Sequence, residues 1–279
     1  MQGCAAPGRV LASDAMQPVL DTRWFDPART NVLAGILLFI AFLLLNMLLA
    51  RRGGGTYIRP IAGLHALDEA IGRATEMGRP ILYVPGISDM SEVGTFAAIT
   101  IFQRVARKAA DVNCALEAPC ADPVVAAVMD GAARTAYSEA GRPDAYRHGT
   151  VHYVSAQQFA YVAAVNGSML RDRPAAIIYM GSFYAESLLL AETGNSTGAI
   201  QIAGTDKVTQ LPFFICACDY TLLGEELFAA SAYIGREPVQ MATITAQDWA
   251  KALAAAAILL ALAGLIFGRP EIAALLRVA

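Results

Sequence analysis

Hydrophobic positions along this chain fall into three patterns, and each predicts a different kind of element. Val32 to Ala50 is a run of 19 residues without a charge, and Ala252 to Phe267 is a run of 16 with neither a charge nor a strongly polar side chain. Between them, short continuous apolar segments alternate with longer stretches in which apolar residues return every three or four positions. Long runs of this kind predict membrane helices, the short segments buried strands, and the periodic stretches amphipathic helices.

At about 1.5 Å of rise per residue the first run covers roughly 28 Å, close to the thickness of a bilayer's hydrocarbon core. Polar, turn-rich sequence precedes it, and Arg51, Arg52 and Gly53 to Gly55 follow it, which is the wrong order for a secretory signal. The second run is bracketed by Trp249, Lys251 and Arg269, residue types that settle at membrane interfaces. Its alanines, with Gly264 and Gly268, suit close packing against another membrane helix. The predicted organisation is a polar N-terminal segment (1–31), a first transmembrane helix (32–50), a central domain with its linker (51–248), a second transmembrane helix (249–268) and a tail (269–279). Arg51, Arg52, Arg59, Arg236 and Lys251 flank the membrane on the central side, against Arg23, Arg29, Arg269 and Arg277 on the other. That small excess predicts a multi-pass protein of the inner (cytoplasmic) membrane, with the central domain in the cytoplasm. Cys114, Cys120, Cys216 and Cys218 lie in or beside apolar segments and read as reduced, buried thiols, as that compartment implies.

In the central region, Leu64, Leu67, Ile71 and Ala74 mark an amphipathic helix from Gly63 to Met77 that stops at Gly78. Six strands are expected: Pro80–Val84, Cys114–Glu117, Val151–Val154, Ala175–Met180, Ala199–Ala203 and Pro212–Ala217. Helices separate most of them. Ser88 or Asp89 is expected to cap one reaching Ala110, Asp122-Pro123 one reaching Glu139, and Ser155 one reaching Arg171; a further helix runs from Ser182 to Ala191 and a last one starts near Leu222. Alternating strands and helices predict an α/β fold, a Rossmann-like three-layer domain with a mostly parallel sheet, flanked by two transmembrane helices.

Composition narrows the function. The 279 residues are 56% hydrophobic and 16% charged, with a net charge of −3. A chain without a basic field is a poor nucleic-acid binder, so none is expected as a partner. Gly194-Asn195-Ser196-Thr197-Gly198 matches the G-x-S-x-G of a nucleophile elbow, but an elbow needs a strand before the serine and a helix after it, the reverse of the expected order here. No histidine follows Ser196 either, since the last is His152. No Walker lysine and no G-x-G-x-x-G occur, and His65, His148 and His152 lack partners at ligand spacing. No catalytic residue, no metal site and no particular cofactor is therefore assigned.

Position supplies the remaining candidates. In open parallel sheets ligands sit beyond the carboxyl ends of the strands, where Ser88, Asp89, Ser155, Ser182, Tyr184, Thr205 and Asp219 are expected to gather. Helix N-termini there favour a small anionic ligand, although serine and aspartate at such places also serve simply as caps. The second candidate is the polar stretch Glu192, Thr193, Asn195, Ser196 and Thr197, read as a loop at the opposite rim that either connects two elements or binds a ligand or a neighbouring subunit.

The stretches Tyr57–Ile87, Ala191–Thr205 and Leu211–Tyr233 resemble a family of bacterial and archaeal membrane proteins known only as a domain of unknown function. The resemblance covers the central domain and implies membrane placement, without an activity or a site residue. The expectation is a membrane-anchored α/β scaffold, binding or assembling without catalysis, with the lipid bilayer and further copies of itself as partners. The alternative is a membrane-bound enzyme acting on a small polar or anionic ligand at the carboxyl-end rim.

Overall fold

The computed structural model describes residues 30–51, 62–235 and 238–267. The N-terminal segment up to residue 29, the linker 52–61 and the tail from residue 268 lie outside the described residues. The chain divides into two units, Leu43–Asp248 and the two ends Met1–Phe42 with Trp249–Ala279.

The central unit is a sheet of six parallel strands in the order β3-β2-β1-β4-β5-β6. The strands are β1 (Ile81–Val84), β2 (Leu116–Cys120), β3 (Val151–Tyr153), β4 (Ala176–Gly181), β5 (Ile200–Thr205) and β6 (Tyr220–Leu223). That order is the doubly wound one, with its switch point between β1 and β4. Alternation along each strand sorts side chains to two faces. Ile81 and Tyr83 of β1, with Ala176, Ile178 and Met180 of β4, pack into one core with helices α2 (Ala62–Met77), α3 (Val93–Asp111), α4 (Pro123–Glu139) and α8 (Glu225–Gly235). Leu82 and Val84, with Ile177 and Tyr179, pack into the other with α5 (Gln158–Asp172), α6 (Glu186–Thr197) and α7 (Leu211–Ala217). Both faces are covered, so strands without polar alternation are what the sheet requires.

Helix ends follow local chemistry. Asp122 accepts from the amides of Val124 and Val125, with Pro123 in the first turn, as expected for a capped start of α4. Gly78 and Gly141 take positive φ beyond α2 and α4. Other expectations are corrected. The N-cap of α3 is Glu92, not Ser88 or Asp89; Asp89 instead closes a turn by accepting from the amide and hydroxyl of Ser91. Ser155 likewise accepts from the Gln157 amide, and α5 starts at Gln158 with Gln157 as its N-cap.

Pro212–Ala217 is not a strand but lies in α7, and the sixth strand is Tyr220–Leu223, within the stretch read as leading into the last helix. Short apolar runs do not distinguish strand from helix by periodicity, and Pro212 in the first turn fits a helix start. Cys216 is consequently exposed on a helix and Cys218 half-buried after it, not a buried pair on a strand. The stretch Glu192 to Thr197 is no loop either: α6 continues through it to Gly198, whose left-handed φ ends the helix.

Helix α1 (Thr30–Arg51) holds the first apolar run, of which Val32–Leu48 is a short apolar helix among the described residues. Helix α9 (Pro238–Ile266) starts 11 residues before the expected boundary at Trp249, because Gln240, Gln247 and Asp248 break the apolar run without breaking the helix. Among the described residues, one helix, Val239–Ile266, is long and apolar enough to cross a membrane, with a mean hydropathy of 2.1 over its most apolar 18 residues.

Candidate functional site

At the switch point the chain fills the crevice with itself. The turn after β1 and the end of β4 touch backbone to backbone: a Cβ on Gly86 would strike Ser182, and one on Gly181 would strike Pro85. Both glycines hold positive φ, and the Ile87 amide donates to the Ser182 carbonyl at 3.2 Å. Beside this crossing the Ser182 hydroxyl donates to Asp206 at 2.8 Å. Lys207 lies 3.5 Å from the other Asp206 oxygen and donates to Glu92 at 3.1 Å. The hydrogen bond to Glu92 is the main cause that raises the Lys207 pKa.

This cluster sits where a doubly wound fold would hold an anion. Asp206 stands directly over the first turn of α3, since a Cβ on Gly94 would be 3.1 Å from one of its oxygens. Glu92 is the residue at the N-cap. The positive end of the helix therefore already faces two carboxylates, with one ammonium between them, a net negative group. A second anion brought there would meet repulsion.

The candidate residues divide accordingly. Ser182 and Thr205 meet in this network, Thr205 accepting from the Lys207 amide at 3.2 Å, and both are fully buried. Tyr184 is exposed nearby, its ring 5.7 Å from the Lys207 ammonium. Ser88, Asp89 and Ser155 remain in the turns after β1 and β3, outside the network. Asp219 is at the other rim, because α7 rather than a strand precedes it; it accepts from the Gln201 amide at 2.8 Å and fixes β6 to β5.

The polar stretch in α6 is committed to its own helix. Thr193 donates to the Leu189 carbonyl at 2.9 Å, Ser196 to Thr193 at 2.6 Å and Thr197 to Gly194 at 2.7 Å. Gly194 is buried against the Tyr179 hydroxyl and the Gln201 amide group, where a Cβ has no room. Glu192 and Asn195 face outward.

Sequence reasoning missed Glu92, Lys207 and Glu186. Glu186 is a fully buried carboxylate that accepts from the Tyr184 amide at 2.8 Å and from the Gln158 side chain, tying the turn after β4 to α5. Its place in the first turn of a helix was the available signal, since acids there take free amides.

An apolar concavity lies elsewhere, on the face formed by α3, α8 and the first turns of α9, with a volume of about 700 Å³. Val93, Phe96, Phe228, Ala232, Val239 and Ile244 supply its apolar wall. The hydroxyls of Thr100, Ser231 and Thr243 are turned back onto the carbonyls of Phe96, Phe228 and Val239, which leaves their carbon atoms to the groove. Its charged residues, among those described, are Glu225, Glu226 and Asp248.

The family described as "Domain of unknown function (DUF6754)" matches residues 20–275. The chain belongs to that family. Membership in DUF6754 extends over both apolar helices as well as the sheet domain, so the helices are part of the family's pattern and not an appendage to it. No curated protein and no solved structure matches the chain.

Proposed function

We propose that the protein is a membrane-anchored α/β module that acts by binding and assembly and runs no reaction of its own. The observation that carries this reading is the groove between α3, α8 and α9, an apolar concavity of about 700 Å³ whose third wall continues along the chain as the apolar segment of α9. An exposed apolar groove rimmed by polar and charged residues is a surface that a partner helix can bury.

The occupant we assign to the groove is a helix of a second copy of the chain. Small residues on α9 favour helix-to-helix contact in a bilayer, and the first turns of the same helix line the groove. Both apolar helices are taken to cross the inner membrane, α1 through the 19-residue run Val32 to Ala50, with the sheet domain in the cytoplasm. An enzyme at the carboxyl-end rim is the weaker reading: Ser182 and Thr205 are buried, and the helix N-terminus beside them is occupied by Asp206.

A photoactivatable residue in place of Phe96, which is exposed in the groove, tests the assignment in native membranes. The reading expects a crosslinked pair of chains with the link inside the partner's α8 or α9. Crosslinks confined to lipid, or none between chains, would remove it.

A further inference from the structure

The opposite rim of the sheet carries a second concavity of different character. An open concavity of about 520 Å³ lies at the amino-terminal ends of β1, β2 and β3, between the last turns of α3 and α4 and the segment Arg142–Thr150. We propose that this cavity binds a small organic anion through a carboxylate or phosphate group, with Arg142 and Arg147 as its ligands. The size lies within the roughly 300–1,000 Å³ usual for small-molecule sites.

Arg142 and Arg147 line the cavity, and neither is paired with the carboxylates that share the lining. Arg142 donates to the Asn113 side-chain oxygen at 3.2 Å, and neither it nor Arg147 lies within ion-pair distance of an acid among the described residues. Of the two acids in the lining, Glu117 is engaged by the Ser168 hydroxyl at 3.3 Å and stands 3.9 Å from His152; Asp144 is in the short 3₁₀ turn Pro143–Ala145. Planar guanidinium forks fit carboxylate and phosphate oxygens in pairs.

The simplest competing use for these arginines is to complement helix C-termini, and the backbone has already done that. The amides of Asn113 and Cys114 donate to Ala110 and Ala109 at the end of α3, at 3.2 and 2.8 Å. Those of Gly141 and Arg142 donate to Ser138 and Tyr137 at the end of α4, at 3.0 and 2.9 Å. The exposed carbonyls that would attract a cation are thus largely spent.

The segment that carries the arginines is also fixed in advance. The Tyr146 hydroxyl donates to Asp130, Arg134 lies over the Tyr146 ring at 5.3 Å, and the Thr150 amide donates to the Arg147 carbonyl at 3.1 Å. A ligand then orders little when it binds. Tyr137, Ala109, Ala110 and Cys114, whose thiol pKa burial raises, supply the apolar part of the lining. They leave room for a small carbon body behind the anionic group.

Titration of the full chain in detergent with succinate and, separately, with glycerol 3-phosphate distinguishes the two anion chemistries. Saturable binding of at least one, weakened tenfold or more in Arg142→Gln/Arg147→Gln and unchanged in Arg104→Gln, whose side chain pairs with Asp68 outside the lining, is the expected result. Cys114 gives a second reading in the wild-type chain: the bound anion should slow its alkylation, followed peptide by peptide, while leaving the exposed Cys216 unaffected. Binding of neither anion, equal binding by the double variant, or equal alkylation of Cys114 with and without a saturating anion would overturn the proposal. None of these outcomes depends on whether the chain assembles, so the site and the assembly reading fail separately.

Discussion

Individual residues explain why the crevice of this sheet is closed. Gly94 lies under Asp206 and Ser182, and a Cβ there would come within 2.6 Å of the Ser182 hydroxyl oxygen. Gly94→Ala is therefore expected to cost about 1–3 kcal/mol, as overpacking does in a filled site. Denaturant unfolding would measure it, and a loss below about 0.5 kcal/mol would mean that the Asp206 cluster yields easily. Tyr146 and Asp130 set a second local test. Burial raises the Asp130 pKa, but hydrogen bonds from Tyr146 and Arg134 outweigh it and hold the carboxyl below its ordinary value. Tyr146, by burial first and then by Asp130, is pushed up to about 12. A lowered acid contributes fully above the usual carboxylate range and loses its contribution as pH falls below it; a raised phenol contributes below pH 10 and loses it as pH rises toward 12. Amides of residues 144–150 should thus lose protection from hydrogen exchange in acid, and Tyr146→Phe should show the loss at neutral pH. Unchanged protection in that variant would contradict the account of how the segment is held.

Among the elements, α6 shows what sequence conveys and what it does not. Thr193, Asn195, Ser196 and Thr197 look like loop residues because their side chains compete with backbone hydrogen bonding. Here three of those hydroxyls donate to carbonyls of the same helix, and Gly194 is needed for contact with Tyr179 and Gln201, a requirement set by β4 and β5 and invisible in the local pattern. The helix-before-strand order that argued against an elbow is the order found. Ser196 is accordingly expected to stay unlabelled by a serine-directed fluorophosphonate; labelling abolished by Ser196→Ala would reverse this. Strands β1, β4 and β5 were legible because both faces of a covered sheet demand continuous apolar runs; β3 was placed as well, although it is an edge strand with Tyr153 exposed, and β2 was displaced by two or three residues toward its preceding turn. Helix α7 and strand β6 were not legible, because four to seven apolar residues suit either state. At the candidate site, Ser182 and Thr205 lie at the carboxyl-end rim, as their place after β4 and at the end of β5 implies, whereas the pairing of Lys207 with Glu92 joins residues 115 apart and no local pattern encodes it.

For the whole molecule the account joins an apolar helix, an apolar groove and a sheet whose ligand crevice is shut. Its topology predicts that a cysteine introduced in the Gly53 to Gly55 linker is inaccessible to an impermeant thiol reagent applied outside intact cells, and that one in the tail is accessible. The reverse pattern would invert the orientation without touching the assembly claim. That claim is tested most directly by the native mass of the full chain in lipid discs at micromolar concentration. The account predicts a defined multiple of the 29.5 kDa chain, reduced toward the monomer by Phe96→Glu in the groove and by Gly264→Leu in α9. A single monomeric mass, the same in the wild-type chain and both variants, would contradict it.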